Sequence, residues 1–93
     1  MSVTVRIPTI LRTYTGDSSE VVLAEPGATL GTALEALEAG APGIQARILD
    51  DEGNLRRFVN VYVDDEDVRF LDGLGTEVKD GATITVIPAV AGG

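Results

Sequence analysis

A chain of 93 residues is long enough for one hydrophobic core, and we expect residues 1–93 to form a single domain. The absence of cysteine and histidine excludes disulfides, thiolate nucleophiles, imidazole bases and the usual zinc ligands. A net charge of -8 argues against nucleic acid and anionic membranes as partners, since both are bound through excess lysine and arginine.

The amino-terminal part of the chain predicts a β-hairpin. Apolar residues alternate with polar ones over residues 3–7, and Pro8 closes this run, as expected of a half-buried strand. A turn is predicted at residues 16–19 and a returning strand at residues 20–24. No apolar run in this region or later has the length of a signal peptide or a membrane span, which predicts a cytoplasmic protein.

The periodicity changes to that of a helix at Leu30. Leucines recur at helical spacing after it, Thr29 is the predicted N-cap, and Gly40 is the predicted stop. The sequence at 41–43 interrupts the helix, and residues 44–49 predict one further short helical turn.

The second half of the chain predicts three more strands. Residues 58–63 are rich in β-formers, an acidic turn follows at 64–67, and a short strand is predicted near 68–70. The last strand covers residues 83–87. The predicted fold class is α+β, a mixed sheet of about four to five strands with one main helix across one face.

The sequence ends on Gly92-Gly93, which indicates a carboxylate that is used chemically. Glycine has no β-carbon, so a diglycine fits a slot only as wide as a backbone, and an enzyme can bring a reactant up to the terminal carbonyl. We therefore expect residues 88–93 to form a flexible tail with Gly93 as the reactive group. A chance ending on two glycines is the alternative.

Several motifs together resemble the ubiquitin-like β-grasp sulfur carriers of the MoaD/ThiS family. These are the Asp80-Gly81 turn, the alternating strand that follows it, Pro88, the small-residue tail and the opening segment 3–12. The stretch 58–70 and the ending 88–93 look most like the cysteine-pathway (CysO-type) carriers of actinobacteria. The resemblance spans essentially the whole chain.

This resemblance implies a carrier rather than an enzyme, and a two-stage reaction at Gly93. An E1-like (MoeB-like) partner would adenylate the carboxylate with ATP, and sulfur would then displace AMP to leave a thiocarboxylate. No cofactor would be bound permanently. The sulfur would pass to an accepting synthase, either a PLP-dependent cysteine synthase or one that makes thiosugars or thiazoles, and a JAMM-type zinc metalloprotease is a further partner implied for the cysteine branch.

The resemblance also implies which residues bind the partner. Strand alternation places Val86 and Ile87 on opposite faces, and the family position that matches Ile87 contacts the adenylating enzyme. The implied partner-binding residues are Arg12 and the run Ile87, Pro88, Ala89, Val90, Ala91, Gly92 and Gly93. A scattered surface hydrophobe at Ile87 and an ordinary loop arginine at Arg12 are the alternatives.

Other functions stay open at this point. Within the family, the alternative is the small subunit of molybdopterin synthase. An alternative from another functional class is a ubiquitin-like modifier, whose diglycine forms amide bonds to lysines. The acidic clusters 50–52 and 64–67 do not fit a calcium-binding loop and are interpreted as solvated turns that steer a basic partner surface.

Overall fold

The computed structural model describes residues 2–88, which form a mixed five-stranded sheet with helices against one face. The strands are β1 (Val3–Arg6), β2 (Glu20–Leu23), β3 (Val59–Val63), β4 (Glu66–Asp67) and β5 (Thr83–Pro88), and the helices are α1 (Leu30–Gly40) and α2 (Gln45–Ile48). The strand order is β2-β1-β5-β3-β4, with β5 parallel to β1 and antiparallel to β3. The predicted α+β class is confirmed.

The core lies between α1 and one face of the sheet. Every second residue of the three central strands is buried on this side, and α1 adds an apolar stripe at helical spacing. The largest contributors are fully buried: Leu30, Leu34, Leu37, Ile84, Val5 and Val61. The residues that alternate with the buried ones on β1, β3 and β5 are half-buried or exposed, and we call the face that they form the open face.

The main helix begins and ends where the sequence predicts. Thr29 accepts a hydrogen bond on Oγ1 from the backbone N–H of Thr32, and Thr32 accepts one on Oγ1 from the N–H of Thr29, at 3.3 and 3.1 Å. This reciprocal pair satisfies two N–H groups that the first helical turn leaves without partners. The helix ends at Gly40, and its cap Ala41 donates to carbonyl oxygens of the last turn.

The predicted strand at residues 68–70 is wrong, because this segment is a 3-10 helix. Asp64 and Asp65 adopt positive φ angles of 50° and 73°, which turn the chain tightly enough to pair Glu66–Asp67 with the end of β3. The Asp67 carboxylate then accepts a hydrogen bond from the backbone N–H of Arg69 and begins the 3-10 helix. The short strand therefore lies inside the acidic stretch that the sequence predicted as a turn, since side-chain capping outweighs the β-propensity of residues 68–70.

Candidate functional site

The carboxyl end of β5 leaves the sheet at its centre. β5 pairs with β1 on one side and with β3 on the other, and its last residue, Pro88, lies opposite Val59. The predicted site residues Ala89, Val90, Ala91, Gly92 and Gly93 follow directly and lie outside the described residues. The chain thus leaves the sheet from a strand that pairs with β1 up to Thr85 and with β3 up to Pro88.

Ile87 lies on the open face just before this exit. It is 46% exposed, whereas its neighbour Val86 is 2% exposed and Ile84 is fully buried in the core. The difference follows from strand alternation, since residues two apart share a face. An apolar side chain is therefore presented to solvent beside the segment that leads into the tail.

A groove of about 490 Å³ borders the end of β5 and is lined by three predicted site residues from opposite ends of the sequence. Its lining includes Arg12 from the β1–β2 connection, Ile87 and Pro88 from β5, and Arg6 from β1. Arg6 is exposed on the open face and was missed by the sequence analysis. The groove thus combines an apolar wall with two guanidinium groups.

The backbone around Arg12 explains why this residue reaches the groove. The β1–β2 connection contains a 3-10 helix, Thr9–Thr15, which the sequence analysis did not predict. Leu11 is buried and anchors this helix to the core, and Arg12 Nε donates to the carbonyl oxygen of Ile7 at 3.1 Å. Gly16, at a φ of 63°, ends the helix, and its N–H donates to the carbonyl oxygen of Arg12.

Asn60 and Arg69 form a second pair of residues near Ile87 that the sequence did not predict. Asn60 lies directly opposite Ile87 across the β3–β5 ladder, and Arg69 donates from one Nη to the Asn60 side-chain oxygen at 2.7 Å. The two residues come together only because the turn at 64–65 folds the chain back on β3. No pattern in the sequence marks this pairing.

The acidic clusters have structural partners of their own. The Asp50 side chain accepts hydrogen bonds from the backbone N–H groups of Glu52 and Asn54, and Asp64 accepts one from the N–H of Thr83. Within residues 2–88 no three His, Cys, Asp or Glu residues are arranged to hold a metal ion. The Asp50 carboxylate therefore closes its turn, whereas Asp64 joins the turn after β3 to the first residue of β5. Of the second acidic cluster, residues 66–67 form β4 instead of part of the predicted turn.

The two groups with displaced pKa values lie on the helix side of the molecule. Hydrogen bonds from the backbone N–H groups of Gly43 and Gln45 lower the pKa of Glu38, and a hydrogen bond to the phenol of Tyr14 raises the pKa of Arg47. The Glu38 bonds fix the loop after α1, and the Arg47 bond joins α2 to the 3-10 helix Thr9–Thr15. In the described part of the chain, neither helix nor any 3-10 segment is long and apolar enough to cross a membrane.

Comparisons with known proteins agree with this geometry. The model of the ThiS family matches residues 5–93. The sulfur carrier protein CysO of Mycobacterium tuberculosis is 53% identical over 95 aligned residues, which cover all of both chains. Small archaeal modifier protein 3 of Haloferax volcanii is 34% identical over 93 residues, again covering all of both chains.

A solved structure is also similar to this chain. A chain in the crystal structure of the Amycolatopsis orientalis BexX/CysO complex matches with a TM-score of 0.90 and 55% identity, over 98% of this chain and 99% of that one. The structures that match are ubiquitin-like β-grasp proteins, so the predicted fold is confirmed.

Proposed function

The chain belongs to the ThiS family, and on this basis we propose that it is a sulfur carrier of the cysteine type that transfers sulfur from its carboxyl terminus. The observation that carries the proposal is the end-to-end match, at 53% identity, with a protein named as a sulfur carrier. The carrier is a co-substrate of its partner enzymes. This agrees with a sequence that has neither cysteine nor histidine.

In the proposed reaction the Gly93 carboxylate attacks the α-phosphorus of ATP, releases pyrophosphate and forms a mixed anhydride with AMP. A carboxylate is a poor electrophile because its negative charge repels nucleophiles and it has no good leaving group. The anhydride removes the charge and supplies AMP as the leaving group. Sulfide then forms the C–S bond as the C–O bond to AMP breaks, and loss of the S–H proton leaves a thiocarboxylate.

The geometry supports this assignment of roles. The central position of β5 fixes the point from which the chain leaves the sheet, because the strand pairs with β1 up to Thr85 and with β3 up to Pro88. Ile87 and the groove beside it offer a docking surface built from residues that precede 89–93 in the chain. A partner can therefore hold the sheet and act on Gly93 at the same time.

Two partners follow from the proposal. An E1-like enzyme catalyses the adenylation of Gly93 with ATP, and a sulfur-accepting synthase consumes the thiocarboxylate. The BexX/CysO complex supports the existence of a protein partner, since a CysO chain is there assembled with another protein. A zinc metalloprotease belongs to the proposal only if the acceptor is a cysteine synthase, because release of the product then requires cleavage from the carrier.

Mass spectrometry of the intact chain tests the proposed function. After incubation with the E1-like enzyme, ATP and a sulfur source, we expect an oxygen-to-sulfur mass increase that maps to Gly93. Omission of ATP is the control, and it should abolish the increase. An unchanged mass in the complete reaction would refute the proposal.

A second candidate function is that of a ubiquitin-like protein modifier. The 34% identical relative from Haloferax volcanii is named as a modifier and matches this chain end to end. In the same experiment a modifier would form stable amide conjugates to lysines of other proteins. Such conjugates without a thiocarboxylate intermediate would favour this function over the sulfur carrier.

A further inference from the structure

The guanidinium group of Arg69 is fixed on the open face by two hydrogen bonds. One Nη donates to Oδ1 of Asn60 and the other donates to the carbonyl oxygen of Arg56, both at 2.7 Å. Asn60 lies between the buried residues Val59 and Val61 of β3, so its side chain is on the opposite, open face. The Arg69 side chain therefore reaches back onto the sheet from the 3-10 helix that follows β4.

This arrangement puts a positive charge on the same face as Ile87, across Asn60. Asn60 lies directly opposite Ile87, and opposed side chains of antiparallel strands have Cβ atoms about 4.5–5.5 Å apart. Arg69 follows β4, on the other side of β3 from β5, so its guanidinium and Ile87 flank Asn60. The open face thus presents a hydrophobic contact and a cationic contact that are separated by one side chain.

The Arg69 guanidinium forms no ion pair within 4.0 Å in the described chain. Among residues 2–88 the single ion pair within 4.0 Å joins Lys79 and Glu77. A guanidinium carries five N–H groups, and only two of those of Arg69 are used in the two hydrogen bonds found there. The remaining N–H groups of an exposed residue are available to an acceptor on another molecule.

The two hydrogen bonds also hold the Arg69 side chain in one conformation before a partner binds. A free arginine side chain samples many rotamers, and fixing it on association reduces affinity. Here Asn60 and the Arg56 carbonyl hold the guanidinium before any partner arrives. Its planar donor geometry matches a carboxylate, which can accept two parallel N–H bonds.

We propose that Arg69, positioned by Asn60, is a specificity-determining contact for the adenylating partner, and that this partner presents a carboxylate beside the pocket that receives Ile87. The proposal rests on the proposed function, because it assumes that an adenylating enzyme docks on the open face. It names the chemistry that distinguishes the correct partner: an apolar pocket with an acidic side chain at its edge.

Pyrophosphate exchange with the E1-like enzyme, measured as a function of carrier and NaCl concentration, tests the proposal. For Arg69→Ala we expect the KM for the carrier to rise about tenfold with kcat unchanged, as for a contact made equally in the ground and transition states. The wild-type KM should rise more steeply with salt than that of the variant, because the lost contact is electrostatic. Arg69→Lys keeps the charge and should restore the salt dependence but only part of the affinity.

Two further variants separate binding from stability. Asn60→Ala keeps the guanidinium but removes its support, so a smaller rise in KM is expected. Arg47→Ala is the matched control, since Arg47 is an exposed arginine with one side-chain hydrogen bond, to Tyr14, and it lies on α2. Its KM should equal that of the wild type.

The outcomes distinguish this proposal from the function on which it rests. Exchange with the wild type and an unchanged KM in a folded Arg69→Ala chain would overturn the role of Arg69 alone. A lower melting temperature with no change in KM would show that Arg69 only holds the 3-10 helix against β3. No exchange with the wild-type chain would refute the proposed function and this proposal together.

Discussion

Replacing Ile87 with aspartate should separate partner binding from folding, with Ile84→Asp as the matched control on the same strand. Ile87 is 46% exposed, so about half of its side chain is buried. Full burial of such a side chain stabilises by about 1.5–3 kcal/mol, and the strand propensity of aspartate costs up to about 1 kcal/mol. We therefore expect Ile87→Asp to lower the free energy of unfolding by about 1–2 kcal/mol and to remain folded.

Ile84→Asp should behave differently because Ile84 is 0% exposed. An unpaired carboxylate in the core costs several kcal/mol, which is comparable to the whole stability of about 5–15 kcal/mol. Circular dichroism melting should show a transition lowered by about 4–8 °C per kcal/mol for Ile87→Asp and no cooperative transition for Ile84→Asp.

Binding to the adenylating enzyme completes the experiment on Ile87. Loss of one central apolar contact costs about 1–3 kcal/mol, which corresponds to a Kd that is about 5-fold to 150-fold higher. An unfolded Ile87→Asp chain would show that its side chain belongs to the core. A folded variant with the affinity of the wild type would show that Ile87 does not contact the partner.

Three further predictions concern the tail and the loop after α1. Gly92→Val and Gly93→Ala should reduce pyrophosphate exchange by orders of magnitude, with melting temperatures near that of the wild type. Wild-type exchange rates in these variants would refute the hypothesis that the partner enzyme admits the diglycine because it has no side chains. In chemical denaturation, Gly43→Ala should lower the free energy of unfolding by more than Gly53→Ala does. Both glycines have positive φ angles, 98° and 83°, but only at Gly43 would the new Cβ lie 3.0 Å from a tyrosine ring. Equal losses of stability in the two variants would contradict this prediction. The lowered pKa of Glu38 means that its contribution to stability is present above the ordinary value of 4.5 and is lost as the pH falls through the folded-state pKa. The difference in melting temperature between wild type and Glu38→Gln should therefore shrink on acidification, and a difference that is constant with pH would exclude this contribution.

The sequence alone determined the features that depend on local pattern. The helix from Leu30 to Gly40 was predictable because its N-cap, its apolar spacing and its stop are all encoded within a dozen neighbouring residues. The alternation around Ile87 likewise predicted which side chains of the last strand face apart. The Gly92-Gly93 ending and the family resemblance were also visible without coordinates, and the reactivity of Gly93 stays a prediction.

The tertiary structure alone decided which distant residues meet. Arg12 and Ile87 line one groove because a 3-10 helix in the β1–β2 connection brings Arg12 to the end of the parallel strand β5. Arg69 reaches Asn60 because two aspartates adopt positive φ angles, and a carboxylate cap ends β4 after two residues. Neither contact follows from propensity or periodicity, since both depend on strand order and on turn geometry, which side-chain hydrogen bonds fix only in the folded chain.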